Sequence, residues 1–202
     1  MKIPKLVRNT VTGGLLGGIA CLLMFVLVNT FSGKNPLSPY PIRLMDFWVP
    51  GFAIVFTLWY FKFGRPMQIF HIWEGLLGGL IVNIVTALTS ATLLALYLNN
   101  FRPDLLTDYI RESIAYMNTP ELRNYTVGKF GQEFYKASIK GLSGTKVSDI
   151  WVDDFGRKIF YGIFVILLAS VILRKREPQL ENLPPAAGKP EPKRKAKAAK
   201  KS

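Results

Sequence analysis

Cysteine and histidine are almost absent: the 202 residues hold one of each, Cys21 and His71. One cysteine excludes an internal disulfide framework. One histidine excludes a multi-histidine metal site within a single chain. Charge is also scarce, at 19% of residues against about 25% in soluble globular domains. Acids are the rarer sign, 13 against 26 bases, for a net charge of +13. Enzyme signatures are missing too. There is no Gly-x-Ser-x-Gly, no His-Glu-x-x-His, no P-loop and no Gly-x-Gly-x-x-Gly followed by an acid. The expectation is a protein that is not an enzyme and uses no cofactor and no metal.

What the chain does have is long apolar runs, with half of its residues hydrophobic and a mean hydropathy of +0.22. They fall in four blocks, at about 11–31, 44–63, 69–98 and 155–173. A bilayer core of roughly 30 Å takes about 20 helical residues, so each block fits one span. Asp46 lies near the start of the second block and Lys62 near its end, and His71 and Glu74 lie in the first turns of the third. Arg157 and Lys158 fall in the first turn of the fourth, where long side chains can snorkel to the headgroups. Lys2, Lys5 and Arg8 precede the first block as in a signal peptide. However, Val28-Asn29-Thr30 is a poor cleavage site, so this block reads as a retained span. Cys21 within it reads as a small buried packing residue.

Orientation follows from basic residues near the span ends. Lys2, Lys5 and Arg8, then Lys62 and Arg65, then Arg174, Lys175 and Arg176 all fall on one side of a four-span chain. That side reads as the cytoplasm, with both termini inside. The stretch from Asn99 to Asp154 is too long to be structureless. Leu105, Leu106, Tyr109, Ile110, Ile114 and Met117 recur at helical spacing. A second helical segment is expected around Phe130, Phe134 and Ile139, ending in Gly141-Leu142-Ser143-Gly144. From Arg174 to Ser202 there are ten bases and three acids, with Pro184, Pro185, Pro190 and Pro192 opposing helix and sheet. The fold class is therefore an all-α membrane protein: a four-helix transmembrane bundle with an extracytoplasmic helical loop over 99–154. The four-span domain covers 1–173 and a disordered basic cytoplasmic tail covers 174–202.

Gly13, Gly14, Gly17 and Gly18 in span one and Gly75 and Gly79 in span three have small-xxx-small spacing, which lets helix backbones approach closely. The pentapeptide Gly-Leu-Leu-Gly-Gly at 14–18 and 75–79 hints at a duplicated hairpin. Span three also carries a polar seam. His71, Gly75, Gly79, Asn83, Thr86 and Ser90 are spaced to share one face, with Glu74 in the first turn. The seam reads first as helix packing with interhelical hydrogen bonds, and alternatively as a proton or ion path. Against the path, the sequence suggests no carboxylate at mid-membrane. Asp46 and Glu74 open adjacent spans from opposite sides, about a bilayer apart, which opposes an acid–base pair. Asp104, Asp108 and Glu112 read as the solvated face of a helix, and Asp153-Asp154 as surface residues able to pair with Arg157 or Lys158. In the tail, Lys193, Arg194, Lys195, Lys197, Lys200 and Lys201 suit anionic lipid headgroups; nucleic acid is a weaker alternative, since no aromatic residue is there for stacking.

The layout resembles an uncharacterised domain-of-unknown-function family of small four-span bacterial inner-membrane proteins. The Gly-rich first span, the basic link between spans two and three, and Leu96-Tyr97-Leu98 leading into Asp104 carry the likeness. So do Phe155-Gly156-Arg157-Lys158-Ile159 and Ser170-Val171-Ile172-Leu173-Arg174-Lys175. It runs from about Val11 to Arg176, and the lysine-rich tail departs from it. The resemblance implies a multi-pass inner-membrane location and offers no catalytic residues. The functional expectation is a non-enzymatic scaffold or accessory subunit, with protein partners or further copies of itself. The alternatives are a small transporter or channel component built on the polar seam, and a membrane-attached ribosome or RNA contact through the tail.

Overall fold

The computed structural model describes residues 5–32, 35–37, 45–64 and 70–174. Among these it is all-helical. Four helices pack side by side: α1 (Lys5–Ser32), α2 (Met45–Phe63), α3 (Ile72–Asn100) and α7 (Val147–Ile172). Between α3 and α7 lie three shorter ones: α4 (Pro103–Met117), α5 (Pro120–Phe130) and α6 (Gln132–Ser143). α1, α3 and α7 are long and apolar enough to cross a bilayer. α2, with 19 residues, is shorter and holds Pro50 inside it. The tail beyond Arg174, and with it the expectation of disorder, lies outside the described residues.

Glycines set the packing. Cβ positions built on Gly13 and Gly17 of α1 meet Thr57 and Ala53 of α2, so these helices run antiparallel. Those on Gly14 and Gly18 meet Val85 and Thr89 of α3, which runs parallel to α1. α3 turns Gly75 and Gly79 to Ser170 and Ile166 of the antiparallel α7, while Gly51 of α2 faces Val165 of α7. The two pentapeptide copies therefore differ in use: the first glycine of one meets α3, and that of the other meets α7. Apolar side chains fill the two ends of the group. Ile54, Leu58, Phe61, Phe70, Val82 and Ile166 form a cluster toward the His71 end. Phe25, Leu37, Leu94, Leu98, Leu105 and Ile150 form another toward α4–α6.

The segment over 99–154 differs from the expected two helices. Pro103 and Pro120 open α4 and α5, where a missing N–H costs nothing. Gly131, at φ +88, then breaks the second expected helix into α5 and α6. Asn35 ties this cap down: its Nδ2 donates to the Leu105 carbonyl at 2.8 Å, and its Oδ1 accepts from the Leu37 amide at 3.0 Å. α7 also differs. It begins at Val147, eight residues before the expected span, so Lys158 lies about three turns inside the helix rather than in its first turn.

Candidate functional site

That earlier start changes what Lys158 does. Two consecutive i,i+4 ion pairs lie on α7, and they point in different directions. Asp153–Arg157 faces outward, with side chains 42% and 40% exposed. Asp154–Lys158 faces the other helices, with side chains 10% and 4% exposed. Lys158 thus does not snorkel, and Asp154 is not a surface residue. An isolated buried charge costs several kcal/mol, so two survive here only as a hydrogen-bonded pair. Ser90 of α3 completes the arrangement, its hydroxyl 3.4 Å from Asp154 Oδ2. Ser90 stands about 24 Å along α3 from Glu74 and about 15 Å from Asn100, at 1.5 Å per residue. The charges therefore sit within the length of the helix group, between the two apolar clusters.

Asn83 lies two turns away along the same interface. Its Nδ2 donates to the Ile159 carbonyl at 3.2 Å, while its buried Oδ1 has no hydrogen-bond partner. A Cβ at Gly162 would run into that amide, so glycine on α7 is what makes room for it. Ser170 Oγ, buried beside Gly75, likewise has no partner. A cavity of about 10 Å³ adjoins Lys158 and Gly162 on the α2 side, lined also by Phe47, Pro50, Gly51 and Tyr161.

The expected seam of α3 is thereby divided. Gly75, Gly79, Asn83 and Ser90 face α7. Thr86 turns to α1, donating to the Gly14 carbonyl at 3.1 Å. His71 is exposed, and Glu74 caps the helix by accepting the His71 amide at 3.1 Å. Neither joins the buried polar groups. Asp104 and Asp108 are engaged locally, with Arg102 and Arg111. The hydrogen bond from Arg102 holds the exposed Asp104 carboxyl below the usual carboxylate range. Among the described residues no three His, Cys, Asp or Glu side chains gather as metal ligands. Lys193, Arg194, Lys195, Lys197, Lys200 and Lys201 lie outside the described residues.

Reading α3 alone misses the partner of its seam. The same four-residue spacing on α7, through Asp154, Lys158, Gly162, Ile166 and Ser170, is the signal that matches it.

A second feature is a groove of about 680 Å³ on the outer face between α1 and α2. Gly13, Gly17, Ala20 and Ala53 line it, with Phe52, Phe56 and Trp59. Gly13, Gly17 and Ala53 pack α1 on α2, which leaves Ala20, exposed on α1, as the small residue over which a further helix backbone can come close.

The family model described as "Protein of unknown function (DUF4199)" matches residues 12–175. No curated protein and no solved structure matches the chain. The chain belongs to this family of proteins of unknown function, and its three long apolar helices fit a multi-pass membrane protein.

Proposed function

We propose that this member of the family is a four-span protein of the bacterial inner membrane, without enzymatic chemistry, that serves as an accessory subunit for another membrane protein. α2 is the fourth span in this reading. It has the apolar length of a short span and packs against α1, α3 and α7. Both termini are cytoplasmic, which agrees with the basic segments next to α1, after α2 and after α7. The basic tail would then meet anionic headgroups, at about 1 kcal/mol per residue while near the surface.

The groove between α1 and α2 carries the subunit reading. Lipid offers no hydrophobic drive for helix association, so close backbone approach over small residues is what selects a partner. Ala20, exposed on α1, allows that approach, and the aromatic wall of Phe52, Phe56 and Trp59 supplies contact area. The occupant in this reading is a transmembrane helix of a partner protein.

Two measurements bear on this. Reporter fusions after Arg65 and after Arg176 should both report the cytoplasm, and one after Gly144 the other side. A cytoplasmic signal at Gly144 would remove the four-span topology. For the groove, a photo-crosslinking residue at Phe56 should capture one protein species in cells. The same probe at Leu167, exposed on α7, should not, and Ala20→Phe should block capture by filling the groove. Equal capture from both positions, or capture of a second copy of this chain alone, would end the partner-subunit reading.

A further inference from the structure

We infer that the corner between α5 and α6 is an interfacial anchor, in which Tyr125, Lys129, Phe130 and Phe134 dock on the anionic headgroups of the bilayer that the chain spans. This goes beyond the subunit reading and does not depend on it. One residue builds the corner. Gly131, at φ +88, ends α5 and opens α6, and the turn brings the Phe130 and Phe134 rings to 5.1 Å between centroids. Lys129 Nζ donates to Tyr125 Oη at 3.0 Å and lies 5.3 and 5.4 Å from the ring centroids of Tyr125 and Phe130. The four side chains thus form one continuous patch, three rings with a cation among them. Each ring is more than half exposed. A Cβ at Gly128, Gly131 or Gly141 would meet nothing within 4 Å, so the described residues leave this side of the cap uncovered.

The patch is held in place from behind. Tyr135, the residue after Phe134, is buried. Its hydroxyl donates to Asn118 Oδ1 at the end of α4, and the Arg123 guanidinium of α5 lies 5.8 Å from its ring centroid. One side chain therefore ties α6 to both of its neighbours. α4 is seated on the long helices through Leu105, which is buried with Phe25, Leu94 and Leu98. Only two residues join α3 to α4 and three join α6 to α7. The cap stays at the ends of two apolar helices, next to the surface of the bilayer they enter.

The chemistry of the patch selects headgroups as its occupant. Aromatic rings with a wet edge concentrate at the membrane–water interface, and lysine beside them adds attraction to anionic lipid. From Pro120 to Lys146 there are five bases and two acids. Of the acids, Glu133 is already paired with Lys136 at 3.2 Å. Asp104 and Asp108 of α4 are taken up by Arg102 and Arg111. Lys129 contacts two rings and a hydroxyl, and among the described residues no carboxylate pairs with it. Its charge is left for a phosphate oxygen, while Phe130 and Phe134 reach the first carbons of the acyl chains. A partner helix of the kind that fits the α1–α2 groove would instead meet small apolar residues without a cation among them.

The test reads the depth of the corner in lipid. The full chain carries Ala137→Cys, exposed one turn from Phe134, labelled with a polarity-sensitive fluorophore; the native Cys21 is buried, and labelled wild type sets the background. One copy is placed per nanodisc, in phosphatidylethanolamine with phosphatidylglycerol or in phosphatidylcholine alone. Quenching by a lipid with a nitroxide near its headgroup is compared with quenching by aqueous acrylamide. In the anionic discs the lipid quencher should act at least twice as strongly as acrylamide. In phosphatidylcholine the order should reverse, a comparison that needs no substitution at Lys129. Lys129→Glu in anionic discs should also reverse it. The change moves two charge units near the surface, roughly 30-fold in the docked-to-undocked ratio. Lys129→Arg should behave as the parent. A label open to acrylamide in anionic discs overturns the proposal, and so does one shielded from both quenchers, which marks a protein contact. Equal quenching in the two kinds of disc, or in Lys129→Glu and the parent, overturns it as well.

Discussion

Replacing Asp154 with alanine should destabilise the purified full-length protein by about 3–5 kcal/mol, the usual cost of leaving one member of a buried ion pair behind. The reason is the position of Lys158, whose side chain is 4% exposed. With Asp154 gone, the buried ammonium loses the carboxylate it pairs with four residues away. Ser90 would also lose the carboxylate 3.4 Å from its hydroxyl. Total stabilities run at about 5–15 kcal/mol, so one such change removes a large fraction. Asp153→Ala is the internal control. It deletes the neighbouring carboxylate from a pair of the same i,i+4 geometry, but one that is about two-fifths exposed. Exposed pairs contribute about 0–1 kcal/mol, so this variant should melt close to wild type. The double change Asp154→Asn with Lys158→Met should recover most of the loss, because replacing both buried charges is often neutral or better. Thermal melts in mild detergent, followed by tryptophan fluorescence, separate the three. If Asp153→Ala and Asp154→Ala melt together, the buried assignment of Asp154 is wrong.

The same two residues show where sequence reasoning reaches its limit. Apolar periodicity located every long helix, because a run of about 20 apolar residues admits few structures. It did not locate the start of α7, because Val147 to Asp154 is polar enough to pass for a loop. Placing the start at Phe155 put Lys158 at a helix end, where snorkelling costs little. Starting the helix two turns earlier turns the same side chain into a buried one. The seam on α3 was legible as a face, since spacing fixes which residues share a side. Which neighbour each residue meets depends on how the helices are arranged, and no single helix encodes that. Asn83 and Ser90 meet α7, while Thr86, between them, meets α1. The break between α5 and α6 rests on one backbone angle at Gly131, which a glycine permits without announcing.

Gly18→Ala should lower stability by about 1–3 kcal/mol, the range for forcing an extra carbon into a well-packed interior. In an isolated helix the same change would help, since alanine is favoured over glycine by about 1 kcal/mol. The sign is decided by what the new carbon meets. At Gly18 it would come within 2.5 Å of Thr89 Cβ and 3.0 Å of the Ser90 backbone nitrogen. Neither is the free end of a flexible side chain, so α1 and α3 must move apart. That motion acts on Ser90 itself, and through its hydroxyl on the contact with Asp154. Gly156 on α7 provides the opposite case, because a carbon added there meets nothing within 4 Å. Gly156→Ala should therefore raise the melting temperature slightly or leave it unchanged. Measured in the same detergent, the two variants should move in opposite directions from wild type. A stable Gly18→Ala protein would mean that α1 and α3 are not in close contact at this level, and the glycine pairs of α1 would lose their packing role.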